Sequence, residues 1–244
     1  MAGTLLAVSP FLTPALRRHV LPYVPATDQQ LADVLTLCRR AVQASRGTPA
    51  RGRALRMVDL GSGDGRVCRA LWREFSNRND IGGEVSVTGV EMNFWLVLFS
   101  RMKAMRLSGA GVRTPHGHGG LTYIRGDLFA LDFGGYDLVV LFGVDGSFMA
   151  DIENKLTRDF AARRMRSAHT PAAESCTPSV VSKTAASACE PASASAETSD
   201  AEESDPPQPR RAAVVCTRFA LPTWKSHAAQ GLAWLYFVDE QPTG

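Results

Sequence analysis

The chain has no apolar run long enough to cross a bilayer, which takes about 20 residues. The apolar residues 5–8 are followed closely by Pro10 and Pro14. The five cysteines are scattered and form no Cys-x-x-Cys pair, so the sequence offers neither a disulfide framework nor a cysteine-based metal site. We therefore expect a globular protein without a membrane span, with free thiols in a reducing compartment.

The amino-terminal segment, residues 1–27, has no acidic residue but contains Arg17, Arg18 and His19. An arginine-bearing segment without acids is typical of a mitochondrial presequence, although three prolines before Tyr23 interrupt any helix there. The alternative is an arm that packs on the folded domain. Both interpretations stay open, with a mitochondrial or otherwise a cytoplasmic location.

Large apolar side chains are almost absent from residues 167–209, which consist mainly of Ala, Ser, Thr, Pro and acidic residues. Such a stretch cannot bury enough surface to offset the entropy lost on ordering. The sequence therefore predicts a disordered insertion over residues 166–211. This segment carries four basic and seven acidic residues, which leaves +6 on the rest of a chain whose net charge is +3.

The most informative motif follows a short apolar strand, residues 55–60. Three glycines, Gly61, Gly63 and Gly65, alternate in a pattern that lets the backbone turn tightly and approach a ligand. The spacing departs from the dinucleotide pattern G-x-G-x-x-G. A second apolar strand, residues 85–90, ends in an acid, Glu91. Together these features indicate S-adenosylmethionine and not NAD.

The remaining chain alternates between helical and strand patterns. Asp28 is placed to cap a helix, and further helices are expected over residues 66–75, 94–107 and 148–165. Further strands are expected over residues 121–124, 136–142, 212–219 and 232–238. Strands separated by helices predict an α/β fold, a doubly wound and mainly parallel Rossmann-like sheet. One domain is expected, formed by residues 28–165 and 212–244.

Ligands bind beyond the carboxyl ends of the strands in such sheets, so the residues that follow each strand are the site candidates. Glu91 is expected to bind the ribose hydroxyls, or alternatively to favour the start of the next helix. Asp127 is expected to accept from the adenine amino group, or to stabilise a turn. Asp59 suits the α-ammonium group of the cofactor, whereas Asp64 suits either the ligand or its own loop. The cofactor-binding candidates are Asp59, Gly61, Ser62, Gly63, Asp64, Gly65, Glu91, Met92, Asp127, Leu128 and Phe142.

The helical spacing of four apolar residues, Trp95, Leu98, Phe99 and Met102, predicts a core-facing stripe. The basic residues of that segment are expected on the solvated face, or on a face that meets acidic lipid headgroups if the protein works at a membrane. His116 and His118 are expected in a flexible loop and not in a metal site, because no third or fourth ligand lies nearby.

Six segments together resemble the mitochondrial protein-lysine methyltransferases that modify the c subunit of ATP synthase or the adenine nucleotide translocase. These segments are residues 22–27, 59–66, 91–97, 126–128, 142–144 and 218–224. The resemblance implies a class I methyltransferase fold, S-adenosylmethionine as methyl donor, and a lysine of an inner-membrane protein as acceptor. It also implies that the arm around Tyr23 covers the cofactor or shapes the acceptor entrance. Relatives often have proline where this chain has Asp145, so the acceptor-side loop differs.

Methyl transfer to an amine depends on alignment and on a neutral nucleophile, and a lysine is almost wholly protonated at neutral pH. Asp145 is the candidate proton acceptor, with Asp127 as the alternative if it does not bind adenine. Tyr23, Phe142 and Trp224 are candidate aromatic faces, each with core packing as the alternative. An RNA or small-molecule methyltransferase and a noncatalytic binding module remain alternatives. The sequence after the fourth strand, Gly-Val-Asp-Gly, argues against RNA enzymes that carry Asn/Asp-Pro-Pro-aromatic there. No DNA partner and no metal are expected, and the oligomeric state is not predicted.

Overall fold

The computed structural model describes residues 24–45, 54–76, 84–107, 120–168 and 211–242. Four helices are present in these ranges: α1 (Asp28–Ala44), α2 (Arg66–Phe75), α3 (Phe94–Met105) and α4 (Gly146–Ala168). Seven strands are present: β1 (Leu55–Leu60), β2 (Val85–Glu91), β3 (Gly120–Arg125), β4 (Leu138–Phe142), β5 (Ala213–Thr217), β6 (Ala228–Gln230) and β7 (Ala233–Phe237). The predicted alternation of strands and helices is confirmed, and α2 has the predicted bounds.

The seven strands form one sheet in the order β3-β2-β1-β4-β5-β7-β6. The first five strands are parallel to one another, whereas β7 is antiparallel to both β5 and β6. The strand order reverses direction between β1 and β4, which creates the crevice where ligands bind in doubly wound sheets. The predicted doubly wound, mainly parallel α/β fold is confirmed.

The sheet separates two hydrophobic cores. Met57 faces the core shared with α1, α2 and α3, whereas its neighbour Val58 faces the core shared with α4. This alternation is expected because successive side chains of a strand point to opposite faces. Each face of the sheet is therefore covered by helices, and the carboxyl ends of the strands lie between the two layers.

The beginning of α1 corrects one expectation. The capping residue is Thr27 and not Asp28, because Thr27 Oγ1 accepts from the Gln30 amide at 3.2 Å while the Gln30 side chain accepts from the Thr27 amide at 3.1 Å. This reciprocal capping box satisfies two otherwise unpaired amides. Asp28 is instead the first helical residue, and its carboxylate contacts Arg66 at the start of α2.

The carboxyl-terminal segment is more complex than predicted. The expected strand over residues 232–238 is β7, but an additional short strand, β6, precedes it and pairs with it as a hairpin. The turn between them contains Gly231, whose φ is +56°. At three residues, β6 is too short to show the alternating pattern that identifies a strand from sequence.

The predicted core-facing stripe of α3 is wrong. The side chains that α3 buries are Val97, Ser100 and Ala104. Trp95, Leu98, Phe99 and Met102, which the spacing assigned to the core, are instead exposed. The helix is apolar on two faces, and periodicity alone does not tell which face packs on the sheet.

Several expectations fall wholly or mainly outside the described residues. These are the amino-terminal segment before residue 24, the histidine-containing segment around His116 and His118, and the insertion between residues 168 and 211. Helix α4 extends three residues past the predicted end, to Ala168. Within the described ranges, no helix combines the length and apolar character needed to span a membrane.

Candidate active site

The glycine loop follows β1 directly and joins it to α2. Gly61, Gly63 and Gly65 have φ values of +71°, +52° and +74°, the left-handed region that other residues rarely adopt. The amides of Gly61 and Ser62 both donate to the Val90 carbonyl of β2 at 2.9 Å. These bonds hold the loop over the carboxyl ends of β1 and β2, at the predicted position.

Two glycines of this loop serve different purposes. A Cβ atom at Gly65 would lie 2.5 Å from Tyr123 Oη, a buried phenol that also donates to the Gly65 carbonyl at 3.0 Å. A Cβ atom at Gly61 would meet no protein atom within 4 Å. Gly65 is therefore needed for close packing inside the protein, whereas Gly61 borders open space in which a ligand has room to approach the backbone.

Ser62 carries an unsatisfied polar atom at the same place. Its side chain is buried, and among the described residues its hydroxyl is the one buried side-chain polar atom with no hydrogen-bond partner. Leaving a buried hydroxyl unpaired is costly. The Ser62 hydroxyl lies inside the protein, 2.8 Å from where a Cβ on Gly89 would stand, so it does not mark a ligand contact, and the cofactor role of Ser62 stays a prediction.

Glu91 ends β2 beside the loop. Its Oε2 accepts from the Gly63 amide at 3.0 Å and its Oε1 accepts from the Asn93 amide at 2.8 Å. Asn93, and not Glu91, caps helix α3, because its side chain accepts from the Trp95 amide at 3.0 Å. Each carboxylate oxygen keeps further acceptor capacity, so Glu91 can bind a vicinal diol while it fixes the loop.

Asp59 lies at the base of the loop and is almost fully buried. Burial raises the pKa of Asp59 to about 7, and the nearby carboxylates of Glu91 and Asp64 act in the same direction. A hydrogen bond from Cys68 Sγ at 3.3 Å partly offsets these effects. A carboxylate held in this way gains from a neighbouring cation, which is what an α-ammonium group would supply.

Asp64 is engaged by the protein itself. Its Oδ1 accepts from the Arg66 amide at 3.1 Å, and its Oδ2 accepts from Lys103 Nζ at 2.7 Å. Partial burial opposes ionisation, but the contacts with Lys103 and Arg69 hold the pKa of Asp64 below its usual range. Of the two interpretations left open for Asp64, loop stabilisation accounts for these contacts.

An open cleft of about 340 Å³ borders the end of β3. It is lined by Met92, Arg125, Gly126 and Asp127, two of which are cofactor candidates. Asp127 is exposed, and its Oδ1 accepts from the Phe129 amide at 2.9 Å as the cap of a short 3-10 turn that begins with Leu128. This hydrogen bond stabilises a turn, as one of the two interpretations predicted. The other carboxylate oxygen, Oδ2, can still accept a hydrogen bond from a ligand.

The arm and the carboxyl-terminal segment meet at Arg218. The guanidinium of Arg218 lies over the ring of Phe142, 5.7 Å from its centroid, and donates to the carbonyls of Val24 and Pro25 at 3.3 Å. Arg218 has a φ of +74°, the one positive value among the described residues other than glycine. Strained backbone of this kind is concentrated at functional sites.

Asp145 caps the start of α4. Its Oδ1 accepts from the Phe148 amide at 2.8 Å and from the Ser147 hydroxyl at 2.7 Å. The Phe148 amide and the Ser147 hydroxyl hold the pKa of Asp145 below its usual value. A carboxylate stabilised in its ionised form is a poor proton acceptor, so the structure provides a capping role and no support for catalysis by Asp145.

Trp224 is placed in the core of the α4 layer, with 6% of its surface exposed. Its indole nitrogen donates to Thr157 Oγ1 at 3.3 Å, and its ring packs edge-on against Tyr236. The Trp224 ring therefore packs in the core, which was the alternative to a catalytic role, and it does not face the rim. Tyr23, the third catalytic candidate, lies outside the described residues, so its role stays a prediction.

Sequence reasoning missed several supporting side chains. Tyr123 packs beneath the loop, Ser100 Oγ donates to the Gly63 carbonyl at 3.1 Å, and Glu153 accepts from the Thr223 and Trp224 amides. These contacts join residues 37 or more positions apart in the sequence, so no local sequence pattern predicts them. Within the described ranges, no group of three or more His, Cys, Asp or Glu side chains is arranged to hold a metal ion.

Comparison with known proteins identifies relatives. The chain is 37% identical over 163 residues to the human ATP synthase C-subunit lysine N-methyltransferase, covering 65% of this chain and 57% of that protein. It is 38% identical over 162 residues to the Caenorhabditis elegans protein of the same name, covering 64% of this chain and 72% of the relative. The mouse adenine nucleotide translocase lysine N-methyltransferase matches over 99 residues at 37% identity, covering 39% of this chain and 34% of that protein.

No family model matches the chain. Among solved structures, an RNA methyltransferase from Salinibacter ruber in complex with S-adenosyl-L-homocysteine covers 91% of this chain and 98% of its own, at 15% identity and a TM-score of 0.49. That likeness is too distant to indicate a function. The chain spans little more than half the length of the human relative and nearly three quarters of the nematode one. On this sequence identity and coverage, the chain belongs to the family of ATP synthase C-subunit lysine N-methyltransferases.

Proposed function

We propose that the protein is an S-adenosylmethionine-dependent lysine N-methyltransferase whose acceptor is a mitochondrial inner-membrane protein, either the c subunit of ATP synthase or the adenine nucleotide translocase. The names of the relatives support the acceptor class. The observation that carries the proposal is the loop, where open space lies above Gly61 and the Glu91 carboxylate accepts from the Gly63 amide.

The residues present fit the cofactor. In this proposal Glu91 binds the ribose hydroxyls, Asp59 balances the α-ammonium group, and the cleft beside Met92 and Asp127 receives the adenine. S-adenosylmethionine supplies an activated sulfonium methyl group. The raised pKa of Asp59 supports this assignment, because a buried carboxylate near two other acids is stabilised by a bound cation.

The remaining requirement is a neutral amine at the rim. The pKa of a free lysine is about 10.4, and a water-poor site lowers it by disfavouring the charged form. Asp145 is exposed and already stabilised as a carboxylate, so we propose that the proton leaves to water and not to Asp145. Phe142, held under Arg218, offers an aromatic face beside the rim. The chain's contribution is then alignment and desolvation.

The acceptor loop favours a protein substrate over RNA. Strand β4 is followed by Gly143, Val144 and Asp145, where amine-methylating RNA enzymes of this fold carry Asn/Asp-Pro-Pro-aromatic. We propose a mitochondrial location on the same basis as the acceptor, supported by the arginine-bearing, acid-free amino-terminal segment.

The test is methyl transfer by the full-length protein. Inner-membrane vesicles from cells that lack the corresponding gene are incubated with the protein and methyl-labelled S-adenosylmethionine, with total RNA in a parallel reaction. We expect label on the ATP synthase c subunit or the translocase, with mass spectrometry locating it on a lysine. Glu91→Ala should abolish the label, while Glu84→Ala, which changes an acid just before the opposite end of β2, should retain it. Label in RNA alone would refute the proposal, and cofactor binding without any transfer would indicate a binding module.

A further inference from the structure

The outward face of α3 carries an unusual concentration of exposed apolar side chains. Six residues form it, which we call the α3 face: Phe94, Trp95, Leu98, Phe99, Met102 and Met105. Each is at least 39% exposed, and Met105 reaches 69%. At 3.6 residues per turn these positions cover an arc of about 140° on one side of the helix. Contiguous apolar surface of this kind marks an interaction site.

Positive charge surrounds the α3 face. In the described parts of this segment, residues 92–107 and 120–126, four residues are Lys or Arg and none is Asp or Glu. On the helical projection, Arg101 lies beside one edge of the face and Lys103 beside the other. The guanidinium of Arg125 lies over the Phe94 ring at 5.6 Å, and Lys103 Nζ lies over the Phe99 ring at 4.6 Å. Among the described contacts, Asp64 is the acid that approaches this border, where it pairs with Lys103.

We propose that the α3 face binds the surface of an anionic lipid bilayer. A helix with Trp, Phe and Leu on one side and Lys or Arg along its borders lies in the interface, with its apolar side chains among the acyl chains and its cations at the headgroups. Each cation near such a surface contributes about fivefold in affinity, equivalent to about 1 kcal/mol. The arrangement of α3 matches both requirements.

The charge pattern argues against a second copy of the chain as the partner that covers the α3 face. A two-fold dimer places the same patch on both copies. Arg101, Arg106 and Arg125 are all exposed around the face, so a two-fold dimer through the face would bring the cations of the two copies close together. Like charges brought together in this way oppose association.

The position of the α3 face connects it to the proposed function. Phe94 follows Glu91 by three residues, so the face begins at the same rim as the candidate cofactor site. A bilayer bound along α3 would therefore meet the rim where a lysine of a membrane protein must be presented. This consequence rests on the proposed methyl transfer, whereas bilayer binding itself does not.

The test is cosedimentation of the full-length protein with vesicles, without cofactor or acceptor. We expect binding to phosphatidylcholine vesicles that contain phosphatidylglycerol, and much weaker binding to pure phosphatidylcholine. Trp95→Gln combined with Phe99→Gln should weaken binding by at least about tenfold, and Arg106→Gln by about fivefold. Leu232→Gln is the matched control, because Leu232 is 59% exposed in the turn before β7, outside the face. It should bind as wild type does.

A second measurement uses the unmodified protein, so the test does not depend on the folding of the double variant. Brominated anionic lipids should quench the fluorescence of Trp95, and Trp95→Phe should remove most of that quenching while it retains binding. Binding unaffected by the double variant, no binding to anionic vesicles, or a dimer that dissociates in the double variant would each overturn the proposal. Methyl transfer to a detergent-solubilised acceptor should be unchanged in the double variant, so failure of this inference and failure of the proposed function are distinguishable.

Discussion

Two single alanine substitutions in the glycine loop, Gly61→Ala and Gly65→Ala, should affect ligand binding and stability to different degrees. Gly61 and Gly65 have nearly the same φ, +71° and +74°, so each alanine carries a similar backbone cost of about 1–2 kcal/mol. At Gly65 the new Cβ would also lie 2.5 Å from Tyr123 Oη and 2.6 Å from Tyr123 Cε1. Tyr123 is buried and cannot swing away, which adds an overpacking cost of about 1–3 kcal/mol.

We therefore expect Gly65→Ala to lower the free energy of unfolding by about 2–5 kcal/mol, and Gly61→Ala by about 1–2 kcal/mol. Binding should show the opposite order. Gly61→Ala places a methyl group in the open space above the loop and should weaken S-adenosylmethionine binding by about tenfold or more, equivalent to at least about 1.4 kcal/mol. Urea unfolding measures the first quantity and isothermal titration calorimetry the second, with the folded fraction of each variant taken into account.

Two results would contradict this reasoning. Equal destabilisation by the two alanines would show that the close approach of Tyr123 to Gly65 does not exist in solution. Wild-type cofactor affinity in Gly61→Ala would show that the space above Gly61 is not the space that the cofactor occupies. The comparison is informative because the two positions share backbone conformation and differ in what surrounds them.

Three further predictions concern Glu91, Asp59 and Trp224. Glu91→Ala removes the acceptor of the Gly63 and Asn93 amides and should both weaken cofactor binding by at least about tenfold and lower the urea midpoint. Glu84→Ala is its control, and an unchanged cofactor affinity in Glu91→Ala would refute the ribose role. Because burial raises the folded-state pKa of Asp59 to about 7, the folded protein keeps a proton that the unfolded chain loses above about pH 4. Stability should thus fall as the pH rises from about 4 to 7, and Asp59→Asn should reduce that fall in pH-dependent urea unfolding. Trp224→Phe should lower stability while the kcat of the folded fraction is retained, and a large loss of kcat at unchanged stability would instead support a catalytic role for Trp224.

Much of the fold could be predicted because it depends on local patterns. The bounds of helix α2 follow from the sequence, since a glycine loop starts it and its apolar spacing marks one buried face. The parallel strands are recognisable as buried apolar runs between helices. Strand β6 was missed because a three-residue edge strand carries no periodicity of its own, and it exists only through its pairing with β7.

The wrong prediction for α3 has a different cause. Its sequence is apolar almost all round, so spacing predicted a stripe but not which stripe packs inward. The small residues Ser100 and Ala104 face the sheet because they allow close approach, and this leaves the large residues Trp95 and Phe99 outside. The same preference for close packing explains why the exposed face is the bulky one.

By itself, the sequence determined the order of the helices and of every strand except β6, the glycine loop, and the acids at the ends of β1 and β2, because each of these depends on neighbouring residues. Only the tertiary structure decided how the candidates are used. It places Asp59 in a buried site that raises its pKa, engages Asp64 with Lys103, and packs Trp224 against Tyr236 in the core. The physical reason is that burial, charge partners and packing depend on residues that are distant in the chain. A local sequence pattern does not show which distant residues will be neighbours.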